Sequence, residues 1–318
     1  MDNPAATANR VPSSRFDGWL EKACALGPLS AAIVHPCDER TLRAVADADR
    51  LGMLRPILVG PGERIRRAAA AARIDIEGFD IEDVPHSHAA AARAVALARS
   101  GSAGMLVKGA LRTDELMSEV LDEAHGLRSE RRASHVFALD VPAYPKPVFL
   151  TDGAINIAPG LREKRDIVQN AIDLLHAIGV AVPRVAILSA VETVNERIAS
   201  TVEAAALCKM AERGQITGAL LDGPLAFDNA ISRQAAAIKG IRSPVAGDAD
   251  ILVVPDLVSG NMLAKQLVYL SDARSAGIVL GTRVPVALAS RADDTRAHLI
   301  SCVLARLLAA HLAIIATP

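Results

Sequence analysis

The chain has 318 residues, more than one ordinary core serves, so two domains with a substrate cleft between them are the first expectation. Its 35 basic residues are balanced by 36 acidic ones, and aromatic residues make up only 3%. Such a chain offers no footprint for nucleic acid or an anionic membrane and no platform for base stacking. Hydrophobic residues make up 51%, yet the longest apolar stretch, near the C-terminus, is interrupted by His311 and falls short of a membrane span. It is expected to be a core-packed helix. The opening MDNPAATANRVPSSR has no continuous apolar segment of the secretory kind, which makes the cytoplasm the expected location. Cys24, Cys37, Cys208 and Cys302 lie far apart without a CxxC pair, against a disulfide framework or a thiolate zinc site.

Residues 1–14 have the composition of a frayed tail. A helix over 15–26 and a strand over 31–35 follow. Asp38, placed after Pro36, is an N-cap for a helix whose Leu42, Val45 and Ala46 share one face before the stop at Gly52. A strand over 56–59 is closed by GPG at 60–62. This segment lacks the spacing of either phosphate-binding glycine motif and reads as a plain turn. A helix over 86–99, a strand over 105–108 and a helix over 113–125 continue the alternation, which predicts the α/β class with a largely parallel, helix-covered sheet. After a strand over 135–140, the proline-spaced VPAYPKP is the expected domain crossing, leading into a strand that ends at Thr151. Then come helix 163–178, strand 185–189, a long helix 191–213, strand 218–222, helix 229–239, strand 251–254 and helix 261–271.

The final stretch, residues 276–301, reads strand, turn, strand, polar loop, helix. Apolar residues recur at helical spacing from Leu299 through Ile300, Val303, Leu304, Leu307 and Leu308, so Asp293 or Asp294 falls at that helix's N-terminus. The loop before it carries Ser290 and Arg291. Free backbone N–H groups at a helix start favour a phosphate, and an arginine adds a fork of donors matched to phosphate oxygens.

Ligands of open α/β sheets bind beyond the carboxyl ends of the strands, and here those ends are followed by polar loops: HPCDE (35–39), KGALRTDE (108–115), TDGAIN (151–156), SAVETVNE (189–196), DGPLAFDN (222–229), PDLVSGNM (255–262) and SRADD (290–294). Each member has a plain alternative. His35 suits a hydrogen-bonded structural histidine, Asp152 and Asp222 suit turn residues, and Asn261 suits a helix cap. Glu192 and Glu196 fall on one face of a predicted helix. Asp248 and Asp250 are too few to specify a metal site. Arg128, Arg131 and Arg132 either solvate a surface or hold a phosphate-rich ligand.

Four segments resemble the phosphate acetyl/butyryltransferase (phosphotransacetylase) family: KPVFLTDGAINIAP (146–159), LLDGPLAFDNAIS (220–232), ADILVVPDLVSGNMLAKQL (249–267) and GIVLGTRVPVALASRADD (277–294). The likeness runs over nearly the whole chain from about residue 33. The wording KMAERGQITGALLDGPLAFDN is most similar to the branch often fused behind an enoyl-CoA hydratase domain, and to butyryltransferases. The resemblance implies reversible transfer, acyl-CoA plus phosphate giving acyl phosphate plus CoA, with an acetyl or butyryl group, CoA as substrate and no metal or other cofactor. It implies two α/β domains like those of isocitrate and isopropylmalate dehydrogenases, with the active site in the cleft between them, and a homodimer. The C-terminal helix would return to the first domain, giving 1–145 with 294–318 and, as second domain, 146–293.

The implied chemistry is direct thiolate attack in a ternary complex, in which the protein orients two substrates, helps deprotonate the thiol and stabilises developing charge. By the resemblance, Ser290 would hydrogen-bond the carbonyl oxygen or the thiol, Arg291 would grip the phosphoryl group, and Gly260 and Asn261 would admit phosphate or CoA close to backbone. Lys108, Thr113, Arg132, Thr151, Asp152, Asn156 and Asp222 complete the substrate-binding candidates. The acetyl branch carries a thiol-activating aspartate seven positions beyond the serine, where this chain has Ala297. Asp293 and Asp294 are therefore the carboxylates open to serve as base or as cap. Two other readings share the fold or the pocket: a metal- and NAD-dependent isopropylmalate-type dehydrogenase, and a CoA-binding sensor without catalysis.

Overall fold

The computed structural model describes residues 14–290 and 293–315; Arg291 and the tail before Ser14 lie outside them. One eleven-stranded sheet runs, from edge to edge, through residues 80–83, 54–60, 29–34, 105–108, 286–287, 274–280, 134–140, 148–151, 251–253, 184–188 and 220–225. Its first block is parallel: β1 (Leu29–Val34), β2 (Leu54–Gly60), β3 (Asp80–Asp83) and β4 (Met105–Lys108), linked through α2 (Glu39–Arg50), α3 (Gly62–Ala72) and α4 (Ser87–Arg99). Asp38 caps α2 as its sequence context predicts, its carboxylate accepting the Thr41 N–H at 2.9 Å. The GPG segment is more than a turn. Pro61, with φ fixed at −63°, stands at the N-cap of α3, and the alanine run behind it propagates the helix that leads to β3.

The far block is also parallel: β6 (Val148–Thr151), β9 (Ile251–Val253), β7 (Arg184–Leu188) and β8 (Leu220–Leu225), with α6 (Leu161–Ile178), α7 (Ala199–Glu212), α8 (Phe227–Ile231), α9 (Arg233–Ile238) and α10 (Leu257–Leu270). Local side-chain hydrogen bonds redraw several predicted boundaries here. The helix expected over 191–213 starts only at Ala199, because Thr201 Oγ1 accepts the Asn195 N–H and donates back toward backbone carbonyls, closing a turn instead. Glu192 and Glu196 therefore lie in a loop and share no helix face. The predicted helix 229–239 divides at Ser232, whose hydroxyl caps α9. α10 is capped by Asp256, which accepts the Ser259 N–H at 2.8 Å, so Asn261 sits inside the helix and is not its cap.

Between the blocks lie β5 (Ser134–Asp140), β10 (Arg274–Leu280) and β11 (Val286–Ala287). Three consecutive pairings, β11 to β10, β10 to β5 and β5 to β6, are antiparallel. The VPAYPKP connector thus joins neighbouring strands of one sheet. Side chains alternate across it. On one face a continuous apolar core packs α1 (Asp17–Ala25), α2, α3, α6, α7 and α11 (Thr295–Ile315). On the other face the core is divided, with α4 and α5 (Thr113–Val120) over the first block and α8 and α10 over the far block. Parallel neighbours need a crossover, usually a helix that covers the sheet, whereas antiparallel neighbours do not. The antiparallel centre is therefore left bare on this divided face.

α11 begins at Thr295, and of the two aspartates expected at its N-terminus Asp294 is the cap, Oδ1 accepting the Ala297 N–H at 2.8 Å. Its length and apolar composition would suffice for a membrane span, contrary to expectation, but residues 297–308 are all buried in the core. Arg306, itself buried, donates to the carbonyls of Leu26 and Gly27 at 2.8–3.1 Å and so satisfies the C-terminal end of α1.

Gly277 in β10 is where the bare centre is most tightly built. A Cβ there would press into the Leu288 carbonyl and stand 2.8 Å from His135 Nε2. Gly277→Ala is expected to cost about 1–3 kcal/mol through overpacking, read as a lower urea midpoint at unchanged m-value.

Candidate active site

The bare centre of the sheet is the floor of a cleft of about 510 Å³. His135 and Phe137 of β5, Ser275 of β10 and Leu288 and Ser290 beyond β11 form that floor; Lys108, Leu111 and residues 112–114 form one wall, and Leu257, Asn261, Ala264, Lys265, Val268 and Tyr269 of α10 the other. Val268, Tyr269, Ser275 and Asp293 also border a second cavity of about 790 Å³, which reaches Arg296 and Ala297 at the head of α11.

The Ser290 to Asp294 loop divides its carboxylates. Asp294 is exposed and caps α11. Asp293 is half-buried and turns back on the loop, its Oδ2 accepting the Ser290 N–H at 2.8 Å, while its own N–H donates to the Ser290 carbonyl at 3.1 Å. Burial pushes the Asp293 carboxyl above its ordinary pKa, opposed by the Ser290 N–H and by the nearby charges of His298 and Lys108. Lys108, at the end of β4, is 3% exposed and lines both this cleft and a smaller cavity beside Asp38 and His298. Of the other expected binding residues, Thr113 and Asn261 line the cleft, and Asn261 Nδ2 also donates to the Gly153 carbonyl at 3.1 Å.

The remaining candidates are placed in the scaffold. Thr151 is fully buried and donates to the His135 carbonyl at 2.9 Å. Asp152 folds its own turn, accepting the N–H groups of Ala154 and Ile155 and, at 2.7 Å, the Asn156 side-chain amide; Asn156 also donates to the Ala133 carbonyl. Arg132 binds the Asn156 side chain at 2.7 Å and pairs with Glu163 at 3.5 Å. Arg128 and Arg131 likewise have their own acids, Glu123 and Asp173. Gly260 does admit close backbone, but the backbone is that of Gly153, whose Cα would lie 2.9 Å from a Cβ at 260. Asp222 lies within β8 at the sheet's far edge, opposite Ala186, because the strand runs on to Leu225 instead of ending at 222. Asp248 and Asp250 are neutralised by Lys146 at 2.9 and 2.6 Å, with Arg184 and Arg233 on Asp248. His35 is structural, its Nδ1 3.0 Å from the Ala110 carbonyl.

Sequence reasoning passed over His135, His298 and the α10 wall apart from Asn261. A signal for His135 existed: in SHVFALD, period-two alternation puts His135 beside Phe137 and Leu139 on one face of an otherwise apolar strand.

A family profile described as "Phosphate acetyl/butaryl transferase" matches residues 86–305. The chain is 60% identical over 297 residues to a phosphate acetyltransferase of Rhizobium meliloti, covering 93% of this chain and 94% of that protein. It is 40% identical over 298 residues to a phosphate butyryltransferase of Clostridium beijerinckii, covering 94% and 99%. The crystal structure of a branched-chain phosphotransacylase from Enterococcus faecalis V583 superposes with a TM-score of 0.76 at 33% identity, covering 88% of this chain and 99% of that one. The chain belongs to the phosphate acetyl/butyryltransferase family. It is an acyltransferase.

The two aspartates should respond oppositely to neutralisation. Asp294→Ala removes a cap and is expected to cost about 1 kcal/mol. Asp293 has a raised folded pKa, so its charge costs stability as pH rises from the unfolded toward the folded value, and the cost persists at neutral pH. Asp293→Asn should therefore hold or raise the melting temperature at pH 7. Thermal denaturation at pH 4 and 7 checks both signs.

Proposed function

We propose that the enzyme transfers an acetyl group between CoA and orthophosphate, acetyl-CoA + phosphate = acetyl phosphate + CoA, by direct thiolate attack in a ternary complex. One observation carries this reading: Ser290, Asp293 and the buried Lys108 line one cleft. The higher identity to the acetyltransferase than to the butyryltransferase supports acetyl over butyryl. CoA is a substrate, and the reaction uses no metal or redox cofactor.

In the direction of acetyl-CoA synthesis, Asp293 takes the thiol proton, the sulfur bonds to the acyl carbon, the bond from that carbon to the phosphate oxygen breaks, and the proton returns to the departing phosphate. A carboxylate with a raised pKa is better matched to a thiol than an ordinary one. Ser290 donates toward the acyl phosphate, and Arg291 with Lys108 offsets phosphoryl charge. Thr113 and Asn261 position the CoA arm. Neither the dehydrogenase nor the silent CoA sensor is favoured by the relatives.

The finer organisation is proposed alongside. Residues 1–145 with 294–318 and 146–293 act as two lobes, an arrangement related to the isocitrate and isopropylmalate dehydrogenases, and the division of the apolar core on the cleft face supports it. The enzyme works in the cytoplasm as a homodimer. Val258, Met262, Tyr269 and Leu270 of α10, each 60–80% exposed, give it an apolar stripe suited to a second copy. The hydratase-linked branch rests on KMAERGQITGALLDGPLAFDN.

The test is thioester formation from CoA and acetyl, propionyl or butyryl phosphate. Acetyl phosphate should give the highest kcat/KM; no turnover with any of them, while CoA still binds, would establish the sensor instead. Arg291→Ala should lower kcat by roughly a hundredfold or more, as loss of an oriented donor to developing charge does. Asp293→Asn should fall as far without loss of thermal stability, and in the parent enzyme the rate should decline as pH falls through the raised pKa of Asp293.

A further inference from the structure

We propose that His135 is a further catalytic residue of the acyl transfer, a neutral imidazole whose ring N–H hydrogen-bonds the reacting carbonyl oxygen as that oxygen becomes negative. The role rests on the acyltransferase reading above and adds a donor that Ser290 and Arg291 do not supply. His135 is 0% exposed, yet it lines the cleft, and among the described residues neither ring nitrogen has a hydrogen-bond partner of good geometry, although the Leu288 carbonyl lies close enough to the ring to act on its pKa. A buried polar group left in that state is destabilising, a cost that an apolar residue at the same place would avoid. A ligand in the cleft is the partner that accounts for it.

The surroundings fix the ring and keep space beside it. Its edge packs on Phe137 at 4.4 Å between centroids and 70° between planes. The absence of a side chain at Gly277 lets the backbone of β10 pack directly against the Nε2 edge of the ring, where a Cβ would stand only 2.8 Å away. The polar groups nearby are Lys108, Ser290 and Asp293 around the cleft, Asp152 beyond β6, and the Leu288 carbonyl.

The state of the ring decides its chemistry. Burial drives its pKa down to about 4, although Asp152 and the Leu288 carbonyl oppose the fall. At neutral pH the imidazole is uncharged, a weak base that retains one N–H. Such a ring stabilises an oxyanion without exchanging a proton, because desolvated dipoles fixed in advance act strongly where charge develops. As sulfur attacks and the carbonyl electrons move onto oxygen, the N–H bond to that oxygen strengthens. When the bond to phosphate breaks, the carbonyl reforms and the ring is unchanged.

His135→Phe and His135→Gln test the assignment in the intact enzyme. His135→Phe should lower kcat by roughly a hundredfold, with KM for CoA nearly unchanged and melting temperature at or above that of the parent. His135→Gln, which restores an N–H donor, should recover about tenfold of the loss and leave the acid limb of the kcat profile where it was. Parent-like kcat in His135→Phe would overturn the proposal. So would equal loss in both variants with lowered melting temperature, which marks a structural role, or disappearance of the acid limb in His135→Gln, which marks a base. Failure of the unsubstituted enzyme to form thioester would instead remove the acyltransferase reading on which the proposal stands.

Discussion

Three antiparallel pairings inserted into an otherwise parallel sheet determine where the main cleft of this protein opens. β10 lies along all seven residues of β5, from Arg274 opposite Asp140 to Leu280 opposite Ser134, and its other edge holds the short β11. Strands joined in this way need no covering helix between them. One face of the centre is nevertheless covered, by α6 and α11, while on the other α5 and α10 stand apart. The cleft follows from that missing layer, and its walls are simply the helices of the two parallel blocks. The same register sets His135, Phe137, Ser275 and Gly277 on the open face and Val136, Ala138, Ala276 and Ile278 in the closed core.

Asp293 and Asp294 owe their different placements to the helix that follows. α11 is driven into the core by its run of buried residues, and Arg306 ties it to α1. Its head is therefore held, and the capping requirement at that head assigns the two adjacent aspartates different work. Asp294 satisfies the Ala297 backbone N–H and stays in water. Asp293 is directed inward to the Ser290 N–H, where desolvation acts on it. Neighbouring carboxylates of identical chemistry thus become distinct through backbone geometry alone.

Much of the fold was legible in the sequence because its signals are local. The βα alternation, the Asp38 cap and the strands around 105–108 and 135–140 depend on residues a few positions apart. The misplaced boundaries share a different cause: Thr201, Ser232 and Asp256 use side-chain hydrogen bonds to start or interrupt helices, and hydrophobic periodicity does not register these. Strand direction was also invisible, since apolar runs look alike in parallel and antiparallel pairs. In the candidate site, Ser290, Asp293, Lys108 and Thr113 could be picked out because each lies near a strand end or a helix start, and Asn261 because the sequence suggests a helix start there, although it lies inside α10. Asp222 obeyed the same rule and was misplaced, because β8 continues through the Gly223-Pro224 step that resembled its end. His135 was missed for the converse reason. It lies within a strand, and only the absence of a helix above it turns a buried position into the floor of a site.

The alanine at 297 gains meaning from the same geometry. Position 297 lies in the first turn of α11 and borders the second cavity, not the floor of the first. Position 293 precedes the helix and borders both cavities, and Lys108 is a charge close enough to act on it. On the proposed assignment, replacing an aspartate by Ala297 moves the carboxylate by one helical turn and does not abolish it. The head of the helix keeps a cap, the cleft keeps a desolvated acid, and the loop between them keeps the backbone N–H of Ser290 in a fixed direction. A base, an anion-binding turn and a helix start are then three consequences of one packed helix end.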